Sequence, residues 1–313
     1  MMVNDRKPDW LRVTLASNGR YAGLKKGLRE LGLKTICEEA RCPNIFECWT
    51  GGTATILLIG DMCTRGCRFC AGRTGNPHGA LDAGEPERVA AQVAGSGLTY
   101  VVLTSVDRDD LSDGGAHHIA ETVRSIKRLN SGILVEVLMP DFGGDRDALD
   151  KIIASGADVL AHNVETVRRL TPSVRDRRAT YDQSLDVLEY LKKASGRVTK
   201  TSLMVGLGET FDEIIDALHD VRERGVDAVT LGQYLRPSDW HLPVSEYIPP
   251  EVFDRYAEAA RGMGFIMVAS GPLVRSSYRA GELFFEGVLR ASPAVGAGSS
   301  NTFHEYIAAN MKR

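Results

Sequence analysis

The feature that most restricts how this chain can fold is the placement of its cysteines. All six lie within residues 37–70 of the 313-residue chain. They form two triplets: Cys37, Cys42 and Cys48, then Cys63, Cys67 and Cys70. Cysteines at such short spacings bind metal or form disulfides. Residues 1–10 are polar and lack the apolar run of a secretory signal. We therefore expect a cytoplasmic protein, in which thiols stay reduced and metal binding is favoured.

Charge and hydropathy exclude two classes of partner. The net charge of −3 and the isoelectric point near 6.2 give no reason to expect nucleic-acid binding. No apolar run approaches the roughly 20 residues of a membrane-spanning helix. We therefore expect no nucleic-acid partner and no membrane segment.

A regular alternation of strand and helix patterns begins after residue 52. Apolar, β-branched runs predict buried strands at 53–60, 98–104, 133–138, 157–161, 198–205 and 228–234. Stretches with helical spacing of apolar residues lie at 86–94, 116–129, 148–154, 181–194, 211–224 and 250–263. Such alternation predicts a parallel α/β sheet, and polar residues follow several of the strands, as in barrel enzymes. A doubly wound open sheet is the competing architecture, but no GxGxxG follows a strand.

We predict a partial or complete (β/α) TIM-type barrel with an N-terminal iron–sulfur-binding extension. Residues 1–52 form that extension, which looks irregular apart from a helix near 21–31. Residues 53–270 form the barrel, and residues 271–313 form a C-terminal segment.

The second triplet has the spacing Cys63-x3-Cys67-x2-Cys70 and directly follows the first predicted strand. A closed structural zinc site takes four protein ligands. Three cysteines on a cubane cluster leave its fourth iron open. The spacing, with Phe69 before the last cysteine, resembles the radical S-adenosylmethionine superfamily. That resemblance implies that the open iron binds S-adenosylmethionine, whose cleavage gives a radical able to abstract hydrogen from an unactivated carbon.

Longer motifs resemble the lipoyl synthase family and cover the chain from about residue 7 to residue 280. They include KPDWL at 7–11, CEEARCPNIFECW at 37–49, GDMCTRGCRFC at 60–70, SVDRDDLSDGGAHH at 105–118, HNVETV at 162–167 and SGPLVRSSY at 270–278. The resemblance implies two 4Fe–4S clusters. The first triplet and a serine of the RSSY motif would hold the auxiliary cluster, and we assign that role to Ser277, with Ser276 as the second choice. A structural zinc site remains the alternative for this triplet.

Five residues are predicted to contact S-adenosylmethionine by the same resemblance: Thr104, Ser105, Asn163, Glu165 and Arg178. Arg175 is an alternative to Arg178 as the partner of a carboxylate. Asn163 has a second interpretation as a helix cap. The charged run Asp107–Asp110 would by default be a solvated loop, but its position after a predicted strand strengthens the case for a functional role.

The family resemblance implies the activity as well. Two sulfur atoms are inserted at C6 and C8 of an octanoyl-lysine, and the auxiliary cluster is sacrificed as their source. The octanoyl group would be carried by a lipoyl domain or a glycine-cleavage carrier protein. A ferredoxin- or flavodoxin-type donor and a cluster-repair protein are further expected partners. Other interpretations are another radical sulfur-inserting enzyme, a zinc-binding structural barrel, and an aldolase with Lys200 as its Schiff-base lysine.

Overall fold

One eight-stranded sheet organises the chain. The computed structural model describes residues 7–12, 19–40 and 42–281, so the predicted C-terminal segment beyond residue 281 lies outside the described residues. The strand order is β1-β2-β5-β6-β7-β8-β9-β10, and β1 alone is antiparallel to its neighbour. The strands are β1 (Lys34–Thr35), β2 (Thr53–Leu58), β5 (Tyr100–Ser105), β6 (Leu134–Leu138), β7 (Val159–Ala161), β8 (Val198–Val205), β9 (Ala228–Gln233) and β10 (Met267–Gly271). Because β10 pairs only with β9, the sheet is a partial barrel.

A two-stranded parallel ladder of β3 (Met62–Cys63) and β4 (Arg73–Thr74) lies in the loop after β2. The helices are α1 (Gly19–Glu30), α2 (Ile36–Glu39), α3 (Ile45–Thr50), α4 (Glu85–Gly95), α5 (Ala116–Leu129), α6 (Arg146–Ile153), α7 (Thr171–Val174), α8 (Tyr181–Ser195), α9 (Phe211–Glu223) and α10 (Pro250–Gly262). Helices α1–α3 precede β2, and the others lie between the parallel strands that follow. Among the described residues, no helix is both long and apolar enough to cross a membrane.

The ends of the helices follow from their local sequence. Thr210 caps α9 by accepting from the backbone N–H of Glu213, whose side chain accepts from the N–H of Thr210 in return. Together these two bonds form a capping box, which satisfies donors that a helix start leaves free. The end of α8 is set by Gly196, whose φ of 66° is the left-handed conformation that glycine adopts at low cost.

All six predicted strands are confirmed, with ends that differ by two residues at most. The prediction of an irregular N-terminal extension was incomplete, because residues 34–50 contain β1, α2 and α3. A two-residue strand such as β1 has no hydrophobic period, and it forms only because Lys34 and Thr35 pair with Leu57 and Ile56. The last strand, β10, was also missed, although its run of apolar residues was present in the sequence.

The two faces of the sheet bury different layers. Val101 and Leu103 pack outward among the helices. Tyr100 and Val102 point inward and pack with apolar side chains of other strands. The alternation follows from the two-residue period of a strand. This layer fills the inside of the curved sheet with apolar side chains.

That inner layer also contains a buried ion pair. Lys200 Nζ lies 2.8 Å from Glu136 Oε1, and the hydroxyl of Tyr100 donates to the same carboxylate. The Lys200 and Glu136 side chains are 3% and 1% exposed. Lys200 is therefore engaged by a carboxylate below the open end of the barrel, and the interpretation of this residue as a Schiff-base lysine is wrong.

Candidate functional site

The second cysteine triplet lies in the loop that leaves the carboxyl end of β2. The β3–β4 ladder folds this loop back on itself, and the N–H of Gly75 donates to the carbonyl of Cys63 at 2.9 Å. Ile59 and Gly60 both adopt positive φ, at 56° and 87°, where the chain turns out of the sheet. The turn brings the three cysteines to the edge of the sheet at which parallel strands place functional residues.

A buried arginine ties this loop to the neighbouring strands. The Arg65 side chain is 3% exposed and contacts three carboxylates, Asp107 at 3.2 Å and Asp109 and Asp141 both at 2.8 Å. Asp107 and Asp109 follow β5, whereas Asp141 follows β6. A planar guanidinium can contact several carboxylates at once. Arg65 thus fixes the cysteine loop relative to the carboxyl ends of two strands, a role that sequence analysis missed because no local pattern indicates it.

The predicted contact Arg178 lies on the outside of the loop. Its guanidinium bonds Asp176, Asp109 and the carbonyl of Thr64, and its side chain is 43% exposed. Asp176 in turn accepts from the N–H of Gly66 at 2.9 Å. Arg178 is not among the residues that line the chamber described next, so the structure places it away from the predicted contact.

A chamber of about 300 Å³ opens at the carboxyl ends of the strands. Its wall contains the whole second triplet together with four of the five predicted contact residues: Cys63, Cys67, Cys70, Thr104, Ser105, Asn163 and Glu165. Arg175, the alternative to Arg178, also lines it. The hydroxyl of Ser105 is buried without a hydrogen-bond partner among the described residues. Buried polar atoms are nearly always paired, so this hydroxyl fits a bound polar ligand.

Glu165 has an unusual backbone conformation at the chamber wall. Its φ of 72° lies in the left-handed region, which is costly for a side chain of this size. Hydrogen bonds to the carbonyl of Ser202 and from the N–H of Met204 hold it there. Burial raises the pKa of its carboxyl, and Asn163 Nδ2 donates to it at 3.1 Å. The interpretation of Asn163 as a helix cap is wrong, because the next helix starts only at Thr171.

A hydrogen-bond network at the chamber wall holds His162 and Arg175 in place. The ring of His162 bonds the carbonyl of Met139 at 3.0 Å and the hydroxyl of Ser184 at 2.9 Å. Arg175 Nη1 donates to the same hydroxyl and to the carbonyl of Val164. Burial and then the charge of Arg175 lower the pKa of His162 to about 4, so the ring is neutral near pH 7.

The first triplet surrounds a second, smaller cavity. Cys37, Cys42, Cys48 and Ser277 line it together, whereas Ser276 lines the larger chamber. The C-terminal segment reaches this cavity through Asn44 Nδ2, which donates to the carbonyl of Leu273 at 2.6 Å. Ser277 thus faces the cavity of the first triplet and Ser276 faces the larger chamber. The spacing of the two residues in the sequence does not predict this difference.

The two cavities are adjacent. Residues on either side of the first triplet site, Ile36, Glu39, Ala40 and Ser276, also form part of the wall of the larger chamber. In the part of the chain that the structure describes, no three His, Cys, Asp or Glu side chains converge on a single-ion site.

Burial raises the pKa of all six thiols, to about 11 for Cys63 and to about 12 for Cys48 and Cys67. A metal ligand must be a thiolate, so metal binding at these sites would release protons. The buried indole N–H of Trp49 has no partner in hydrogen-bond geometry among the described residues, yet it lies near Cys37 and opposes the rise of that pKa. An unpaired donor beside a sulfur fits a site that binds thiolates.

Solved structures share the fold. Methylornithine synthase superposes with a TM-score of 0.54 at 16% identity, over 80% of this chain and 78% of that one. The FeFe-hydrogenase maturase from Carboxydothermus hydrogenoformans gives 0.53 at 14% identity, over 78% and 62% of the two chains. Identities this low indicate the partial-barrel fold alone.

Two family models match the chain. The model of the radical SAM superfamily matches residues 57–221, and that of the N-terminal domain of lipoyl synthase matches residues 2–42. The first match spans the second cysteine triplet and the chamber. Membership of the superfamily implies binding of S-adenosylmethionine and of an iron–sulfur cluster.

Curated relatives extend the match over most of the chain. The lipoyl synthase of Thermus thermophilus is 55% identical over 92% of this chain and 90% of its own. That of an Anaeromyxobacter species is 56% identical over 92% and 98%. The mitochondrial lipoyl synthase of Fusarium vanettenii is 54% identical over 97% and 76%. The chain therefore belongs to the lipoyl synthase family of the radical SAM superfamily.

Proposed function

We propose that this chain inserts two sulfur atoms, at C6 and C8, into an octanoyl-lysine carried by a lipoyl domain or a glycine-cleavage carrier protein. The observation that carries the proposal is the arrangement of the two cysteine triplets. One lines the chamber directly, and the other lies in a cavity whose flanking residues form another part of the same wall. A substrate in the chamber would thus lie between a hydrogen-abstracting site and a sulfur source.

We assign the first step to the second triplet. Cys63, Cys67 and Cys70 would hold a 4Fe–4S cluster, which with S-adenosylmethionine supplies a radical that removes hydrogen from an unactivated carbon. The Glu165 carboxylate is placed to accept from an ammonium or from ribose hydroxyls. We assign the partner of the methionine carboxylate to Arg175, because it lines the chamber while Arg178 does not.

We assign the sulfur source to the first triplet with Ser277. A serine oxygen is a harder ligand than a thiolate and a poorer match for an iron–sulfur cluster. A ligand set of three thiolates and one serine oxygen suits a cluster that must be taken apart. Each turnover would then require a donor of ferredoxin or flavodoxin type and a protein that rebuilds the cluster, in a reducing compartment such as the cytoplasm.

The chamber wall suits an alkyl chain. Leu57, Val106, Leu138 and Met139 contribute apolar surface close to the cysteines. Burial of an octanoyl chain against them is favourable by about 0.8 kcal/mol per methylene. Such a wall also excludes water from the reacting carbons. The side chains of this chain thus position the substrate, while the hydrogen abstraction itself depends on the bound cofactors.

Iron and sulfide analysis of anaerobically reconstituted protein tests the proposal. We expect about eight irons per chain in the parent and about four in both Cys37→Ala and Cys63→Ala. Ser277→Ala should lose iron from the first site, whereas its matched control Ser276→Ala should keep it. The parent should convert an octanoyl-lysine peptide to its dithiolated product. Zinc in place of iron, or four irons in the parent with no loss in Cys37→Ala, would refute the assignment of a sacrificial cluster.

A further inference from the structure

Thr55 lies in the middle of β2, beside the first cysteine triplet. It is 2% exposed, and its backbone pairs with Val102 of β5, so its position is fixed by the sheet. Its side chain lines the cavity that contains the triplet and Ser277. The Thr55 hydroxyl donates to the Ser277 hydroxyl oxygen at 2.8 Å, across 222 positions of sequence.

The chemistry of a serine ligand determines which of the two hydroxyls donates this hydrogen bond. A serine that binds iron does so as an alkoxide, which accepts hydrogen bonds and cannot donate them. On binding, Ser277 would release one proton to solvent, and no electron would be transferred. Thr55, whose oxygen lies 2.8 Å away, must then be the donor. Hydrogen bonds to charged oxygens are shorter and stronger than those between neutral groups, so the contact would strengthen on ligation.

Two other polar side chains of this cavity have hydrogen-bond partners of their own. Arg275 Nη1 donates to the carbonyl of Val274, and the hydroxyl of Tyr278 donates to Glu47. Thr55 therefore contacts the proposed serine ligand directly, from a strand whose position is fixed by the sheet.

We propose that Thr55 is a positioning residue for the serine ligand of the auxiliary site. Its hydroxyl holds the Ser277 oxygen towards the three thiols and stabilises the deprotonated form, and so sets how readily the serine-linked iron is released. This inference rests on the proposed function, because it needs Ser277 to bind iron. Thr55 is not proposed to contact the substrate.

The test compares variants that differ by one atom. Thr55→Val keeps the shape of the side chain and removes the hydroxyl, and Thr55→Ser restores the hydroxyl. Thr53→Val makes the same change two residues earlier on the same face of β2, in the wall of the same cavity. Each is made in the full chain carrying Cys63→Ala, Cys67→Ala and Cys70→Ala, so that only the first triplet holds iron. The readouts are the rate of iron release to a chelator and the electron paramagnetic resonance spectrum.

We expect Thr55→Val to release iron about tenfold faster or more, as the loss of a hydrogen bond to a charged acceptor predicts. A three-iron cluster signal should accompany the loss. Thr55→Ser and Thr53→Val should behave as the parent, and Ser277→Ala should release iron at least as fast as Thr55→Val. Complete loss of iron in Thr55→Val, with native circular dichroism and rescue by Thr55→Ser, would support the same conclusion.

Other outcomes overturn the inference in distinguishable ways. If Thr55→Val matches the parent while Ser277→Ala does not, Thr55 has no positioning role and the proposed ligand stands. If Thr55→Ser is as labile as Thr55→Val, the hydroxyl is not responsible. If Ser277→Ala itself matches the parent, the serine ligand of the proposed function fails, and this inference fails with it.

Discussion

Replacing Arg65 with Met tests whether the buried arginine holds the cysteine loop in place. The change removes a guanidinium that is 3% exposed and leaves Asp141, 1% exposed, without its cation. Burial lowers the pKa of Arg65, but the hydrogen bonds that its guanidinium donates to Asp109 and Asp141 more than offset this, so the residue is charged at any pH of interest. Met fills a similar volume, so packing is largely kept and the electrostatic effect is isolated.

The expected magnitude follows from burial. Removing one partner of a buried pair costs about 3–5 kcal/mol, because a charge stays buried without compensation. For a chain of this size, about 2 °C is lost per kcal/mol, so the midpoint of thermal unfolding should fall by about 6–10 °C. The matched control is Arg128→Met. Its ion pair with Glu121 is 58% and 33% exposed, and such pairs contribute about 1 kcal/mol or less.

Thermal unfolding in anaerobic buffer, with iron analysis of the same samples, provides the assay. We expect Arg65→Met to lose iron from the second triplet while the first triplet keeps its iron. The double variant Arg65→Met with Asp141→Asn should recover part of the stability, because contacting residues are not additive. If Arg65→Met unfolds within 2 °C of Arg128→Met and keeps its iron, the loop does not depend on this contact.

Three further predictions test other parts of the structure. Lys200→Met should lower the free energy of unfolding in urea by about 3–5 kcal/mol, because it leaves the buried Glu136 carboxylate without its cation. Adding Glu136→Gln should recover part of the lost stability, and no recovery would contradict the ion pair. Burial lowers the pKa of His162 from 6.5 to about 4, so its contribution to stability is present above pH 6.5 and is lost as the pH falls towards 4. The free energy of unfolding of the parent should fall by about 3 kcal/mol over that pH range, and that of His162→Gln should not. Parallel curves of stability against pH for the two proteins would refute the assignment to His162. A Cβ at Gly232 would lie 2.0 Å from the carbonyl oxygen of Val274. Gly232→Ala should therefore displace the segment that reaches the first triplet and lower the iron content from about eight to about four per chain. Unchanged iron content would show that the segment tolerates the shift.

The order of strands and helices in the barrel was predictable from local pattern. Buried strands such as β8, Val198–Val205, have uninterrupted β-branched and apolar runs, and amphipathic helices such as α5, Ala116–Leu129, have their own period. Both predictions match the observed bounds. The pattern fails where an element depends on a distant partner, as β1 depends on β2.

The candidate site was predicted in part. Residues that follow strands, such as Ser105 and Asn163, were expected to meet at one edge of the sheet, and they do line one chamber with the second triplet. Arg178 was expected there and lies outside, because three protein oxygens already hold its guanidinium. Arg65 and Thr55 were missed, since their partners are 42 or more positions away in sequence (107 − 65 = 42 for Asp107).

The sequence by itself determined which chemical groups the chain has and the order in which its strands and helices follow one another. Cysteine spacing and hydrophobic period are local properties, and a linear sequence records them directly. The tertiary structure alone decided which of two adjacent serines, Ser276 or Ser277, faces the first triplet, and which arginine faces the chamber. The physical reason is that these residues lie in turns and bends, where neighbouring side chains point in different directions. The packing of residues far apart in sequence therefore determines which side chain meets the site.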